Sequence, residues 1–111
     1  MKPGLHAHLV ERSGGHCEAC KKPFGLGLLT AEADHAFGRS KAEESEATVW
    51  LICRGCHHDK TNNSPDAATW LLRFAQHADK YGFAASAARA RARLFAVEVR
   101  AGFGRKVVAN G

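Results

Sequence analysis

A chain of 111 residues is the size of one domain and buries only a modest core, so a staple such as a bound metal is expected to help hold it. Apolar residues make up 45%, which excludes a disordered chain of low hydrophobicity, and no apolar run approaches the length of a membrane span. The net charge is +5 and unevenly placed: residues 1–63 hold eight Lys/Arg against eight Asp/Glu, whereas 64–111 hold eight Lys/Arg against Asp66, Asp79 and Glu98 alone. An excess gathered in the C-terminal half suits a polyanionic partner such as nucleic acid; a solvated basic helix face is the plainer alternative. Met1 to Arg12 carries no hydrophobic stretch resembling a secretory signal, so a cytoplasmic setting with reduced thiols is expected.

In chain order, residues 3–12 predict a short helix with Leu5, Leu9 and Val10 inward, ended by Ser13-Gly14-Gly15. Cys17 to Cys20 is a tight turn. Leu28 to Asp34 predicts a strand, with Leu29, Ala31 and Ala33 on one side and Thr30, Glu32 and Asp34 on the other. Residues 36–47 read as a polar loop, and the β-branched and aromatic run Thr48 to Ile52 as a second strand. Cys53 to Cys56 is another turn, with a short helix starting near Cys56. Ser64-Pro65-Asp66 supplies a capping hydroxyl, a proline and an acid, the start of a helix reaching Tyr81 and stopping at Gly82. Its buried face is expected to be Trp70, Leu71, Phe74, Ala78 and Tyr81. A last helix over Phe83 to Arg100 has an apolar stripe of Phe83, Ala87, Ala90, Leu94 and Val97, with Arg89, Arg93 and Arg100 in a narrow arc. Gly102 to Gly111 reads as a loose tail. The whole is expected to be a single domain over 1–111, with a core at 9–63 and a basic helical extension at 64–111.

The four cysteines form two Cys-x-x-Cys pairs, Cys17/Cys20 and Cys53/Cys56, separated by thirty-two residues. Such turns aim two sulfurs and nearby N–H groups at one point, and two turns complete a tetrahedral thiolate site for a structural zinc. Two disulfides, buried thiols, or His16 replacing one thiolate, are the alternatives. A zinc here pins both ends of the segment Lys21 to Ile52, which lets Asp34-His35 face His57.

The order Cys-x-x-Cys, Asp34-His35, Leu51-Ile52-Cys53-x-x-Cys56-His57-x-x-Lys60-Thr61 resembles the zinc-bearing branch of the HNH endonucleases. The run Leu9 to Cys17 is similar to that family's approach to its first cysteine pair, so the resemblance covers about residues 9–63. It implies an α+β fold: a small ββα-metal (His-Me finger) core with a four-cysteine zinc, flanked here by an N-terminal helix and two C-terminal helices. It also implies that His35 is the general base and that Asp34 and His57 hold a catalytic divalent metal. The products would carry 5′-phosphate and 3′-hydroxyl ends.

The chemistry is independently reasonable. Imidazole accepts a proton from water near neutral pH, and a cation offsets charge on the scissile phosphate and the departing oxygen. Mg²⁺ or Mn²⁺ is expected, and an Asp/His site also accepts Ni²⁺, Co²⁺ or Zn²⁺. The family's middle Asn falls at Thr48, whose hydroxyl takes over part of its hydrogen bonding. A third metal ligand is not evident: Thr61 occupies the family position, with Asp59, Asn62 and Asn63 nearby. Arg39 and Lys60 are candidate phosphate contacts, as are Arg89, Arg93 and Arg100. Trp50 and Trp70 are assigned to the core, His6, His8 and His77 to the surface or to packing, and His58 to solvent or a phosphate.

The expected function is metal-dependent DNA endonuclease activity by a one-metal mechanism, as monomer or homodimer and without a membrane. The rival readings are a non-catalytic zinc-stabilised nucleic-acid-binding module and an accessory protein of a phage or mobile-element assembly.

Overall fold

The computed structural model describes residues 2–25, 30–38, 44–62 and 67–110, with Asn62 and 101–110 as backbone only. Among them lie α1 (Leu5–Ser13), β1 (Ala31–His35), β2 (Val49–Cys53), α2 (Arg54–Asn62), α3 (Ala67–Lys80) and α4 (Ala84–Asn110). The fold is α+β, with a two-stranded antiparallel sheet, four helices and a cluster of four cysteines among the described residues. The chain divides into two compact units, Met1–Ser64 and Pro65–Gly111. No helix among the described residues is long and apolar enough to cross a membrane.

In the first unit, α1 buries Leu5 and Leu9, one turn apart on one face. It ends where Gly14 and Gly15 take φ of 59° and 81°, a left-handed stop that glycine adopts without a Cβ penalty. The Gly14 N–H then closes on the Glu11 carbonyl at 3.2 Å. The chain next makes a small hairpin: the Cys17 N–H donates to the Lys22 carbonyl at 2.8 Å, and His16 bridges Pro23.

β1 and β2 pair in the register Ala31↔Cys53, Glu32↔Ile52, Ala33↔Leu51, Asp34↔Trp50 and His35↔Val49. Directly opposed residues of an antiparallel pair share a face. One face therefore carries Glu32, Asp34, Trp50 and Ile52, and the other Ala33, His35, Val49 and Leu51. All four of Val49 to Ile52 are buried, so β2 is covered on both sides, as its unbroken apolar run suggests. A buried ion pair supports this strand. Arg12 donates to both oxygens of Glu18 at 2.8 Å, and the Leu51 N–H donates to Glu18 Oε1 at 2.8 Å. The same guanidinium donates to the carbonyls of Glu46 and Val49.

Strand boundaries differ slightly from expectation. β2 runs one residue further, to Cys53, and α2 begins at Arg54 rather than near Cys56. The second cysteine pair thus spans a strand-to-helix junction. Leu28 and Leu29, expected at the start of β1, lie outside the described residues, as does the expected helix start Ser64-Pro65-Asp66.

In the second unit, α3 and α4 form a helical hairpin turned at Gly82, whose φ is 75°. Gly82 and Phe83 donate to the carbonyls of Asp79 (3.1 Å) and Ala78 (2.8 Å), which satisfies the end of α3. α3 buries Trp70, Phe74, Ala75, His77 and Ala78; Leu71 and Tyr81, expected on this face, are only half-buried. His77 belongs to the core, its ring tilted against those of Phe74 (5.6 Å) and Tyr81 (5.1 Å). Of the expected stripe, Ala87 and Ala90 of α4 are buried, whereas Leu94 and Val97, and Phe83 just before the helix, are half-buried. The loose tail expected at 102–111 is corrected, because α4 continues through Asn110. Gly102 and Gly104 each cost about 1 kcal/mol in a helix interior, too little to stop a helix rich in Ala and Arg.

Candidate functional site

Cys17 and Cys20 come from the hairpin after α1, Cys53 from the end of β2 and Cys56 from the first turn of α2. Their sulfurs all lie within 4.8 Å of one another, and those of Cys17 and Cys56 are 3.8 Å apart. A tetrahedral ion with Zn–S bonds of ~2.3 Å needs sulfurs ~3.8 Å apart, so the cluster is of the right size to hold a metal ion. All four thiols are free. Backbone N–H groups of Cys20 and Cys53 point at the Cys17 sulfur at 3.4 and 3.3 Å, and that of Cys56 at the Cys53 sulfur at 3.4 Å.

Burial raises the Cys17 thiol, but the N–H donors of Cys20, Cys53 and Ala19 outweigh it and leave its pKa below the ordinary value. Burial pushes Cys20 and, much further, Cys56 upward, and the negative charge of Cys17 adds to both. Four thiols this close cannot all ionise without a cation among them. His16 stands apart, exposed, with Nδ1 3.0 Å from the Gly14 carbonyl.

The second constellation lies on the Glu32/Asp34 face of the sheet, against α2. Asp34 is buried, and its two oxygens have different company. Oδ2 accepts from the Trp50 indole N–H at 2.8 Å and from Lys60 Nζ at 2.8 Å. Oδ1 faces His57 Nε2 at 3.6 Å. The other nitrogen of His57 lies 3.4 Å from Glu32 Oε1. The carboxylate oxygen and the imidazole nitrogen are 3.6 Å apart, close to the ~3.4 Å between ligands of a tetrahedral ion with bonds of ~2.1 Å and wider than the ~3.0 Å between neighbouring ligands of an octahedral one. Asp59 and Thr61, candidates for a third ligand, are exposed on α2; the side chain of Asn62 and all of Asn63 lie outside the described residues.

His35 occupies the opposite face, because adjacent strand residues alternate. β1 ends there, and the chain turns: the Ala36 N–H donates to the Thr48 carbonyl at 3.0 Å and the Gly38 N–H to the His35 carbonyl at 3.2 Å. His35 Nε2 lies 2.8 Å from Glu44 Oε2. The other oxygen of Glu44 accepts the Lys2 backbone N–H at 2.6 Å. Glu44 is buried; the bond from His35, then the one from Lys2, hold its carboxyl below the usual carboxylate range. The Thr48 hydroxyl accepts the Ser45 N–H at 3.0 Å, which braces the loop locally.

The structure thus brings Asp34, His57 and Lys60 together and puts His35 on the opposite face of the sheet, with Glu44. Lys60, expected at a phosphate, is bonded to Asp34. Trp50, assigned to the core, is fully buried and also orients Asp34. Arg39 lies outside the described residues. On α4, Arg93 and Arg100 are exposed and Arg89 half-buried, whereas Arg91 pairs with Asp79.

Three acidic residues escaped the sequence reading. Glu32 was open to it, since a residue two before Asp34 on a strand shares its face. Glu18 and Glu44 carry no spacing signal: one sits inside a cysteine turn and the other among several glutamates of a polar loop. No family model, curated protein or solved structure matches the chain.

Proposed function

We propose that the chain is a metal-dependent DNA endonuclease of the HNH type whose four-cysteine cluster holds a structural zinc. The observation that carries this reading is the buried Asp34 carboxylate, which presents one oxygen at 3.6 Å to His57, the residue next to Cys56 of the cysteine cluster. The neighbouring residue on the same strand is an imidazole at the strand's last position.

Asp34 and His57 are the residues that would hold a divalent cation. Such an ion supplies charge neutralisation for the scissile phosphate and the departing 3′ oxygen. Trp50 and Lys60 fix Asp34 by bonding its Oδ2, which leaves Oδ1 for the ion. His35, beside the terminal turn, takes the proton from the attacking water. Asp34 and His35 are on opposite faces of the sheet, so on this reading the phosphate sits over the end of β1, where the strand gives way to the turn. The basic arc Arg89, Arg93 and Arg100 supplies affinity for the DNA backbone rather than chemistry.

The test is conversion of supercoiled plasmid to nicked or linear forms by the purified protein with Mg²⁺, Mn²⁺, Ni²⁺ or Co²⁺. One observation favours a second reading. Lys60 neutralises Asp34 at 2.8 Å, as it would in a zinc-stabilised nucleic-acid-binding module without turnover. That module binds DNA and leaves the plasmid intact under every metal.

A further inference from the structure

We propose that Glu44 is the positioning residue for His35, holding the ring so that Nδ1 is the nitrogen that faces the attacking water. The inference rests on the nuclease reading above and adds a residue that neither the cysteine pairs nor the Asp34-His35 pair points to.

Glu44 uses its two oxygens separately. Oε1 is anchored by the Lys2 backbone N–H at 2.6 Å, and Oε2 meets His35 Nε2 at 2.8 Å. A carboxylate fastened to backbone has little freedom to follow the ring, so the ring takes its direction from the carboxylate. An ionised carboxylate only accepts hydrogen bonds. Nε2 must therefore carry the hydrogen in this pair, and in the neutral ring Nδ1 is left with the lone pair. That is the division of labour a general base requires: one nitrogen held and protonated, the other open to receive a proton.

The register makes the arrangement specific to this site. His35 is the last paired residue of β1, opposite Val49, and its ring leaves the sheet on the face away from Asp34 and His57. The ring keeps about a fifth of its side-chain surface exposed, so burial alone does not fix its direction. Thr48 closes the loop onto Ser45. The bond seen on the imidazole comes from Glu44, a residue outside the family's middle position.

The test combines proton NMR with turnover, on the full chain with its metal. In wild-type protein the expected spectrum contains a low-field imidazole N–H resonance, protected from exchange and coupled to Nε2 of His35. Glu44→Ala should lose that resonance while the rest of the spectrum keeps its dispersion. Its kcat should fall about tenfold or more with KM held, short of the about 10²–10⁴ that removing a general base costs. Glu44→Gln, whose amide oxygen still accepts from Nε2, should recover both readouts in part.

A resonance on Nδ1, or one unchanged in Glu44→Ala, overturns the pair. Equal kcat in Glu44→Ala and wild type, where the wild type cuts, overturns the positioning role and leaves the nuclease reading intact. A wild-type protein that cuts under no metal overturns that reading and the role of Glu44 with it. If Glu44→Ala fails to fold, Glu44→Gln carries the decision: it keeps the resonance and part of kcat, or the proposal fails.

Discussion

Asp34 and Trp50 face each other across the two strands, and the Trp50 indole N–H donates to Asp34 Oδ2 at 2.8 Å. A fully buried tryptophan thereby fixes the rotamer of the carboxylate on which the proposed metal site depends. Trp50→Phe removes the donor and leaves a small void at a fully buried position. It should cost about 2 kcal/mol of stability and weaken binding of Mn²⁺ several-fold, measured by calorimetry. Undiminished affinity would show that Lys60 alone suffices to orient Asp34.

Asp34→Ala removes the partner of a buried indole N–H and of a largely buried ammonium. Leaving such donors unsatisfied costs about 1–3 kcal/mol, so the melting temperature should drop and Mn²⁺ binding weaken sharply. Lys60→Met leaves the indole bond in place and removes the second hold on Oδ2, so Mn²⁺ affinity should fall less than in Asp34→Ala. A rise in affinity would mean that Lys60 competes with the ion rather than organising the site.

The four sulfurs hold together elements that are distant in sequence. One tightly bound zinc per chain should appear in metal analysis, and Cys53→Ser or strong chelation should unfold the first unit rather than only slow its chemistry. Loss of zinc with unchanged circular dichroism would contradict the structural role.

The Arg12–Glu18 pair is nearly inaccessible, with side-chain exposures of 6% and 3%, and it closes the cysteine hairpin onto β2 through Leu51. Removing one member of a buried pair costs about 3–5 kcal/mol. Glu18→Ala should therefore rank among the most destabilising single changes outside the cysteines, as read by urea denaturation.

Glu44 gives stability an acid limb. Its carboxyl titrates lower in the folded chain than in the unfolded one, first because of His35 and then because of the Lys2 N–H. The contribution is complete above the unfolded carboxylate pKa of about 4.3 and is lost as pH falls through the folded value. Glu44→Gln should flatten that limb in urea titrations at successive pH values.

Much of this architecture was legible because its determinants are local. Glycine pairs end helices, a β-branched run makes a buried strand, and two Cys-x-x-Cys turns need no long-range information to be recognised. Strand alternation also placed Glu32 and Asp34 on one side. What escaped depends on interactions between distant segments. Glu44 meets His35 and Lys2, and Glu18 meets Arg12 and Leu51, only after the chain has folded. The end of α4 escaped for the opposite reason: two glycines look like a stop, yet their helix penalty is small beside that of proline.

Three arginines on one arc of α4 should bind phosphate without reading sequence. Changing Arg89, Arg93 and Arg100 to Gln should weaken DNA binding uniformly. It should also make the plot of log affinity against log salt shallower by about 0.9 for each phosphate that is no longer neutralised. Unaltered affinity and slope would leave these residues as a solvated face.

The most direct measurement of the central claim is plasmid cleavage by wild type, His35→Ala and Asp34→Ala across a Mn²⁺ titration, with DNA binding followed on the same proteins. The wild type should nick or cut. His35→Ala should bind DNA within a few-fold of wild type yet cut about 10²–10⁴-fold more slowly at every metal concentration. Asp34→Ala should regain part of its activity as metal is raised. Full activity in His35→Ala, or an intact plasmid in the presence of wild type under all of Mg²⁺, Mn²⁺, Ni²⁺ and Co²⁺, would contradict the nuclease assignment.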